Sequence, residues 1–334
     1  MERSKPTGQT AKDFARRIFR HENAVLVLIL IGLVAGMGII TKGLTTSRAN
    51  FFNILLQSSI RGIASVGQAL VVLSAGIDLS VAGVGLFSAT LGSTLMTLNP
   101  EVSIVSNPYS MYTAIPIMLV VGAAWGVING LGVSRLGVPA LIMTLATWEI
   151  SKGAAVLLNK GRIIHPLPDN LAFFGSGTIG GVPVPVIIFI VVAVIAYFAL
   201  YHTIFGRSVY AIGANPIAAW LTGIKVDDVL FVLYGVSGLL AGLAGVVMTA
   251  RTMSTTMQTL YGLEMDTIAS VFIGGISMTG GKGNLIGVII GVIIIGVVNN
   301  SMSVLHAGAP IQVMVKGAII IGAVAADILR RRER

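Results

Sequence analysis

The sequence predicts an all-α integral membrane protein, a polytopic bundle of about ten transmembrane helices, one of them short or re-entrant, with both termini cytoplasmic. Three observations carry this. Hydrophobic residues make up 55% of the 334 positions and charged residues only 10%, against about 25% charged in soluble domains, so polar surface is too scarce to coat a globule in water. Ten apolar windows approach the roughly 20 residues that a helix needs to cross a hydrocarbon core about 30 Å thick. The basic residues are distributed unevenly over the connectors, as orientation in a membrane requires.

The windows are taken in chain order. Ala24 to Thr41 follows a basic tail over residues 1–23; its long core and the lack of a small-x-small cleavage pattern make it an uncleaved first helix, not a secretory signal. Ile54 to Ala75, Val81 to Leu98, Thr113 to Ser134, Val138 to Leu158, Val182 to Tyr201 and Val229 to Ala250 follow. The eighth, Met265 to Thr279, is short and Gly-rich (FIGGISMTGG), which marks it as a half-span or re-entrant element. Leu285 to Leu305 and Ile311 to Ile328 complete a transmembrane domain over 24–328, and a basic tail follows over 329–334.

Ten crossings return the chain to its starting side. Fourteen Lys and Arg residues fall there, in the two tails and at Arg135, Arg207, Lys225 and Lys282; the other side receives five, Lys42, Arg48, Lys160, Arg162 and Arg251. Positive residues are retained on the cytoplasmic side, so the formal charge of +9 reads as an orientation device and not as a nucleic-acid footprint. Small residues recur four apart at Gly238 and Gly242 and at Gly287 and Gly291, the spacing that lets helices approach closely in lipid. The longest external connector, Asn159 to Gly181, is either a solvated link or a contact for an external partner.

Several chemistries are excluded. The chain has no Cys, and its four His residues form no ligand-spaced pair, so neither a metal site nor a catalytic centre is expected. The nearest approach to a phosphate-cradling loop is TGGKGN at Thr279 to Asn284, which has Ile276 where the first Gly belongs and Gly283 after the Lys. No HExxH or GxSxG motif occurs. Ion-coupled carriage needs ionisable groups inside the spans, and those present are Arg61, Glu149, Lys152, Asp266 and Lys316. Glu149 and Lys152, three apart, are expected to pair on one helix face.

The connector over 203–228 is the most informative loop. Asn215 is placed to cap a helix whose first turn opens at Pro216, and Gly223 is placed to stop it. Its apolar side is prominent for a cytoplasmic loop, and it either lies against lipid or fits a groove in a partner.

These residues, with GIDLSVAGV at Gly76 to Val84, NG at Asn129 and Gly130, VPALIMTLATWEISKG at Val138 to Gly153, FGRSVYAIGANPIAAWLTGIKV at Phe205 to Val226, LEMDTIASVFIGGISMTGGKGNLIG at Leu263 to Gly287 and KGAIIIGAV at Lys316 to Val324, carry a resemblance. The chain resembles the membrane permease subunits of bacterial ATP-binding-cassette importers for monosaccharides of the ribose, galactose, xylose and arabinose type.

The resemblance implies that the connector couples to an ATPase subunit through Asn215, Ala218, Ala219 and Gly223, so that Ala219→Glu should break docking. The sequence departs from the family pattern at Ala214, Pro216, Ile217 and Thr222, and Ala82 precedes Gly83 where SVG is usual. It further implies a non-enzymatic subunit that binds no cofactor itself, with Mg-ATP used by a separate cytoplasmic ATP-binding-cassette partner, alongside a second permease subunit and an extracytoplasmic solute-binding protein. Asp78 and Ser80 in GIDLS are either structural or part of a gate, Asp78 capping the next helix or accepting backbone amides. Asn299 and Asn300 either hold helices together or line the pathway. A related permease for a non-sugar solute and an ion-coupled secondary carrier are the alternative readings.

Overall fold

The computed structural model describes residues 22–332; the basic residues of the N-terminal tail up to Arg20, and Arg334, lie outside the described residues. Every expected window forms a helix: α1 Glu22–Ile40, α2 Arg48–Leu73, α3 Val81–Met96, α4 Met111–Ser134, α5 Ala140–Asn159, α7 Val184–His202, α10 Val226–Thr252, α11 Leu263–Ile273, α12 Leu285–Val304 and α13 Ala309–Arg332. The short α6 (Ala172–Ser176) and a two-stranded hairpin, β1 (Thr178–Ile179) with β2 (Val182–Pro183), fold within the long external connector; α8 (Ile204–Ala214) and α9 (Pro216–Leu221) fold within the 203–228 connector. Among the described residues, eight helices are long and apolar enough to cross a membrane, and α3 is a shorter apolar helix.

Local chemistry sets several boundaries. Ser47, Thr203 and Asn284 each accept a backbone N–H of the first turn of α2, α8 and α12, satisfying one of the donors a helix start leaves unpaired. Helix α2 is the central post: its most apolar window is 78% buried, while the windows of α1 and α13 are not buried at all and face outward from the chain. Helix α10 packs chiefly on α4 and α2, α3 on α5, α12 on α11 and α2, and α13 on α11.

The small-residue spacing has the packing role expected of it. On the α4–α10 seam, a Cβ on Gly122 would lie 2.5 Å from the Gly238 carbonyl oxygen, and one on Gly238 would lie 2.7 Å from the Gly126 Cα. Backbone therefore meets backbone, which only glycine permits. Gly238→Val is expected to lower stability by about 3 kcal/mol by overpacking, read as a fall in detergent melting temperature. Gly153→Ala, where a Cβ meets nothing within 4 Å, is the silent control.

The eighth segment is a short crossing. Helix α10 ends where Ile164 bridges Thr255, at the end of the bundle holding the long external connector. Helix α11 then begins only at Leu263 and ends at Ile273, and the turn after it reaches the C-terminus of α2, where Gly281 N–H donates to Leu73 O at 2.9 Å. Its eleven residues cover roughly 16 Å at 1.5 Å per residue, so the crossing is completed by non-helical chain at both ends. Gly275, Gly280, Gly281 and Gly283 adopt positive φ in the turn that follows, which is why this segment reads as Gly-rich.

The long external connector is folded rather than merely solvated. Ile164, Leu167 and Leu171 are buried, Thr97 donates to Pro166 O at 2.8 Å, and Arg162 pairs with Glu101 at 2.5 Å.

Candidate functional site

The connector helix α9 forms as its sequence dictates. Asn215 Oδ1 accepts the N–H groups of Ile217 and Ala218, both at 3.0 Å, Pro216 supplies the first turn, and Gly223 turns the chain at φ +87° after the last. Ala218 is exposed and Ala219 is 4% exposed. Ala219 therefore supports the helix from below, and Ala219→Glu would disrupt the connector itself instead of probing a contact. The outward face is Ile217, Trp220 and Leu221, exposed at 71%, 67% and 71%. Beside it, Trp220, Lys225 and Asp227 line a surface hollow with the Arg135–Asp228 ion pair, 2.7 Å long, which ties the α4–α5 connector to the start of α10.

This face is linked to the spans. Tyr210 in α8 donates its hydroxyl to Gly283 O at 3.0 Å; burial, followed by the neighbouring Tyr201, pushes its pKa up, so it keeps its proton and its role as donor. Leu285 N–H donates to Tyr201 Oη at 3.0 Å. These bonds and the Gly281–Leu73 bond tie α7, α8, the glycine turn, the start of α12 and the end of α2 together.

Asp78 and Ser80 sit, fully buried, in the connector between α2 and α3. Asp78 Oδ1 accepts the Ser80 N–H at 2.9 Å and the Ser80 hydroxyl at 2.6 Å; Oδ2 accepts the Ser237 hydroxyl of α10 at 2.6 Å. Asn129 of α4 donates to Ser80 Oγ at 2.8 Å and accepts from Thr147 of α5 at 2.6 Å. The GIDLS and NG motifs thus meet in one polar knot that joins four elements. Asp78 accepts a backbone amide, as expected, while Ser80 occupies the N-cap position of α3.

Asn299 and Asn300 are both buried and engage different partners. Asn300 and Asn50 of α2 exchange amide hydrogen bonds at 2.9 and 2.7 Å. Asn299 Nδ2 donates to Asp266 Oδ2 at 3.1 Å. The same carboxylate meets Arg61 Nε of α2 at 2.7 Å, and Lys316 Nζ of α13 stands 2.8 Å from its Oδ1 as an ion pair without hydrogen-bond alignment. The expected Glu149–Lys152 pair does not form among the described residues: Glu149 is exposed, and Lys152 Nζ lies 4.9 Å over the Trp148 ring.

Arg61 and Lys316 were visible in the sequence only as charges inside apolar windows. Ser237 and Thr147 carried no signal of their own, because Ser and Thr are ordinary in such helices. No group of three or more His, Asp or Glu able to hold a metal ion occurs among the described residues.

A sequence family described as the branched-chain amino acid transport system permease component matches residues 50–324. The ribose import permease protein of Escherichia coli strain K12 is 35% identical over 314 residues, 93% of this chain and 94% of that protein. The D-allose transport system permease protein of the same strain is 33% identical over 327 residues, 98% of each chain. The L-arabinose ABC transporter permease protein of Azospirillum brasilense is 31% identical, covering 92% of this chain and 88% of that one. No solved structure matches the chain.

Proposed function

Because this chain belongs to the family of branched-chain amino acid transport system permease components, we propose that it is the membrane subunit of an ATP-driven importer that passes a monosaccharide across the bacterial cytoplasmic membrane. The observation that carries the sugar is the likeness, along more than nine-tenths of the chain, to permeases named for ribose, allose and arabinose. The family description names branched-chain amino acids, which makes an amino-acid solute the second reading.

In the proposed assembly the Ile217–Trp220–Leu221 face docks a separate cytoplasmic ATPase, which uses Mg-ATP. An apolar face exposed beside a hollow with a charged rim suits burial in a groove of a partner helix or domain. Motion at α9 would pass through Tyr210 and the glycine turn to α2, α11 and α12. Asn215, Ala218, Ala219 and Gly223 then shape the docking helix, and Asp78 and Ser80 hold the knot against which the neighbouring helices pivot. A second permease subunit completes the pathway, and an external binding protein docks on the folded 97–110 and 160–183 connectors. An ion-coupled carrier is disfavoured because Asp266 is held by two cations.

The test is reconstitution in liposomes with the neighbouring ATPase and binding protein. ATP hydrolysis stimulated by ribose- or allose-loaded binding protein, with uptake of the sugar, is expected. Stimulation by leucine alone would move the solute to the amino-acid class, and uptake without any ATPase would overturn the reading.

A further inference from the structure

The cluster around Asp266 holds more polar groups than its internal bonds satisfy. Arg61, Glu264, Asp266, Asn299 and Lys316 come from α2, α11, α12 and α13, and α11 begins there as a half-helix with Glu264 and Asp266 in its first turn. Arg61 lies midway along the 26 residues of α2, which sets the cluster near the middle of the bundle. Discontinuous helices at mid-membrane depth are where transporters place solute sites, because only there does irregular backbone offer polar groups away from lipid.

Beside Asp266 Oδ1, which faces Lys316 as an ion pair, three buried atoms in the cluster lack a hydrogen-bond partner: Arg61 Nη1, a donor, and Glu264 Oε2 and Asn299 Oδ1, both acceptors. Asn299 is 4% exposed, so its carbonyl is withdrawn from water with nothing in the chain to replace the lost hydrogen bond. The side chains of Arg61 and Lys316 remain 19% and 18% exposed, and Tyr261 and Met265 at the same end of α11 are exposed, so the edge of the cluster reaches the surface of the chain on that side.

The unpaired set selects the ligand chemistry. An anion brings acceptors only, satisfying Arg61 and leaving the two oxygens unpaired. A metal cation would satisfy the oxygens, leave Nη1 unpaired, and meet repulsion from Arg61 and Lys316. A hydroxyl donates and accepts at once, so a polyhydroxylated solute matches both kinds of unpaired atom.

We propose that Arg61, Glu264 and Asn299, braced by Asp266 and Lys316, form a transient station for adjacent hydroxyls of the solute midway through the membrane. The station rests on the permease reading above and adds to it a solute-contacting site within this chain.

The experiment compares uptake of a sugar with uptake of its monodeoxy analogues in liposomes containing the full complex, for the wild type, Asn299→Leu and Asn299→Asp. Loss of one hydrogen bond to the solute is expected to slow Asn299→Leu about tenfold for the parent sugar. One monodeoxy analogue, lacking the hydroxyl concerned, is expected to change by less than about twofold. Asn299→Asp, which keeps an acceptor but sets a second carboxylate against Asp266, is expected to retain the preference for the parent at a lower absolute rate. Glu264→Gln is measured alongside, so that a failure of Asn299→Leu to insert leaves the comparison intact. Equal loss for parent and all analogues, or no loss for any, would overturn the station and leave a structural cluster holding water. Absence of ATP-dependent uptake by the wild type would instead overturn the permease reading.

Discussion

Replacing Ile217 and Trp220 together by Glu is expected to release the ATPase partner while leaving the permease inserted and folded. Both side chains are mostly exposed, so neither change removes a buried side chain from the chain. Large apolar anchors at the centre of an interface typically contribute 2 kcal/mol or more each, so a loss of about 30-fold or more in affinity follows from Trp220 alone, and the pair should abolish ATP-driven uptake. Co-purification with the ATPase and the detergent melting temperature are the two readings. Unchanged co-purification would place the docking surface elsewhere; a parallel fall in melting temperature would make the residues structural. Ala219→Glu serves as contrast, because its buried side chain should cost stability as well as partner binding.

Asp266→Leu is expected to be the most damaging single change to the membrane core. The single negative charge of Asp266 lies against both Arg61 and Lys316, each of which is mostly withdrawn from solvent. Removing one partner of a buried ionic group costs about 3–5 kcal/mol, because the remaining charges are left uncompensated. The accompanying substitution Arg61→Met/Asp266→Leu/Lys316→Met takes away all three charges and should recover most of that loss in melting temperature without recovering uptake. If the single change leaves the melting temperature unaltered, the carboxylate does not hold α2, α11 and α13 together. If the triple change is as unstable as the single one, packing rather than charge sets the cost.

The spans were legible in the sequence because each apolar run is bounded by polar, Gly or Pro residues, and lipid leaves the backbone no alternative to helix. The α9 helix was legible for a local reason: Asn-Pro at one end and Gly at the other fix its start and stop. The broken crossing was half legible, since the Gly run announced a turn but not that the turn would bond to Leu73. The Asp266 cluster was not legible. Arg61 and Asp266 are 205 residues apart, and helical spacing reveals only neighbours within a turn or so. That rule paired Glu149 with Lys152, whereas Trp148, one position away from Glu149, offered the ammonium a ring face. The sequence likewise contained GIDLS and NG without any sign that Ser80 and Asn129 touch. Such contacts follow from the order in which helices stack, which no local pattern records.

The shortness of α11 bears on how the chain is made. Machinery that partitions nascent segments into lipid by their apolarity would find little to retain in eleven residues carrying Glu264 and Asp266. The segment must therefore wait near the lipid edge until α12 supplies Asn299 and α13 supplies Lys316. When α11 leaves the ribosome, the two helices that hold it have not yet followed. Its membrane integration belongs to the last two helices, and a nascent chain halted before Lys316 should leave residues 254–284 open to protease.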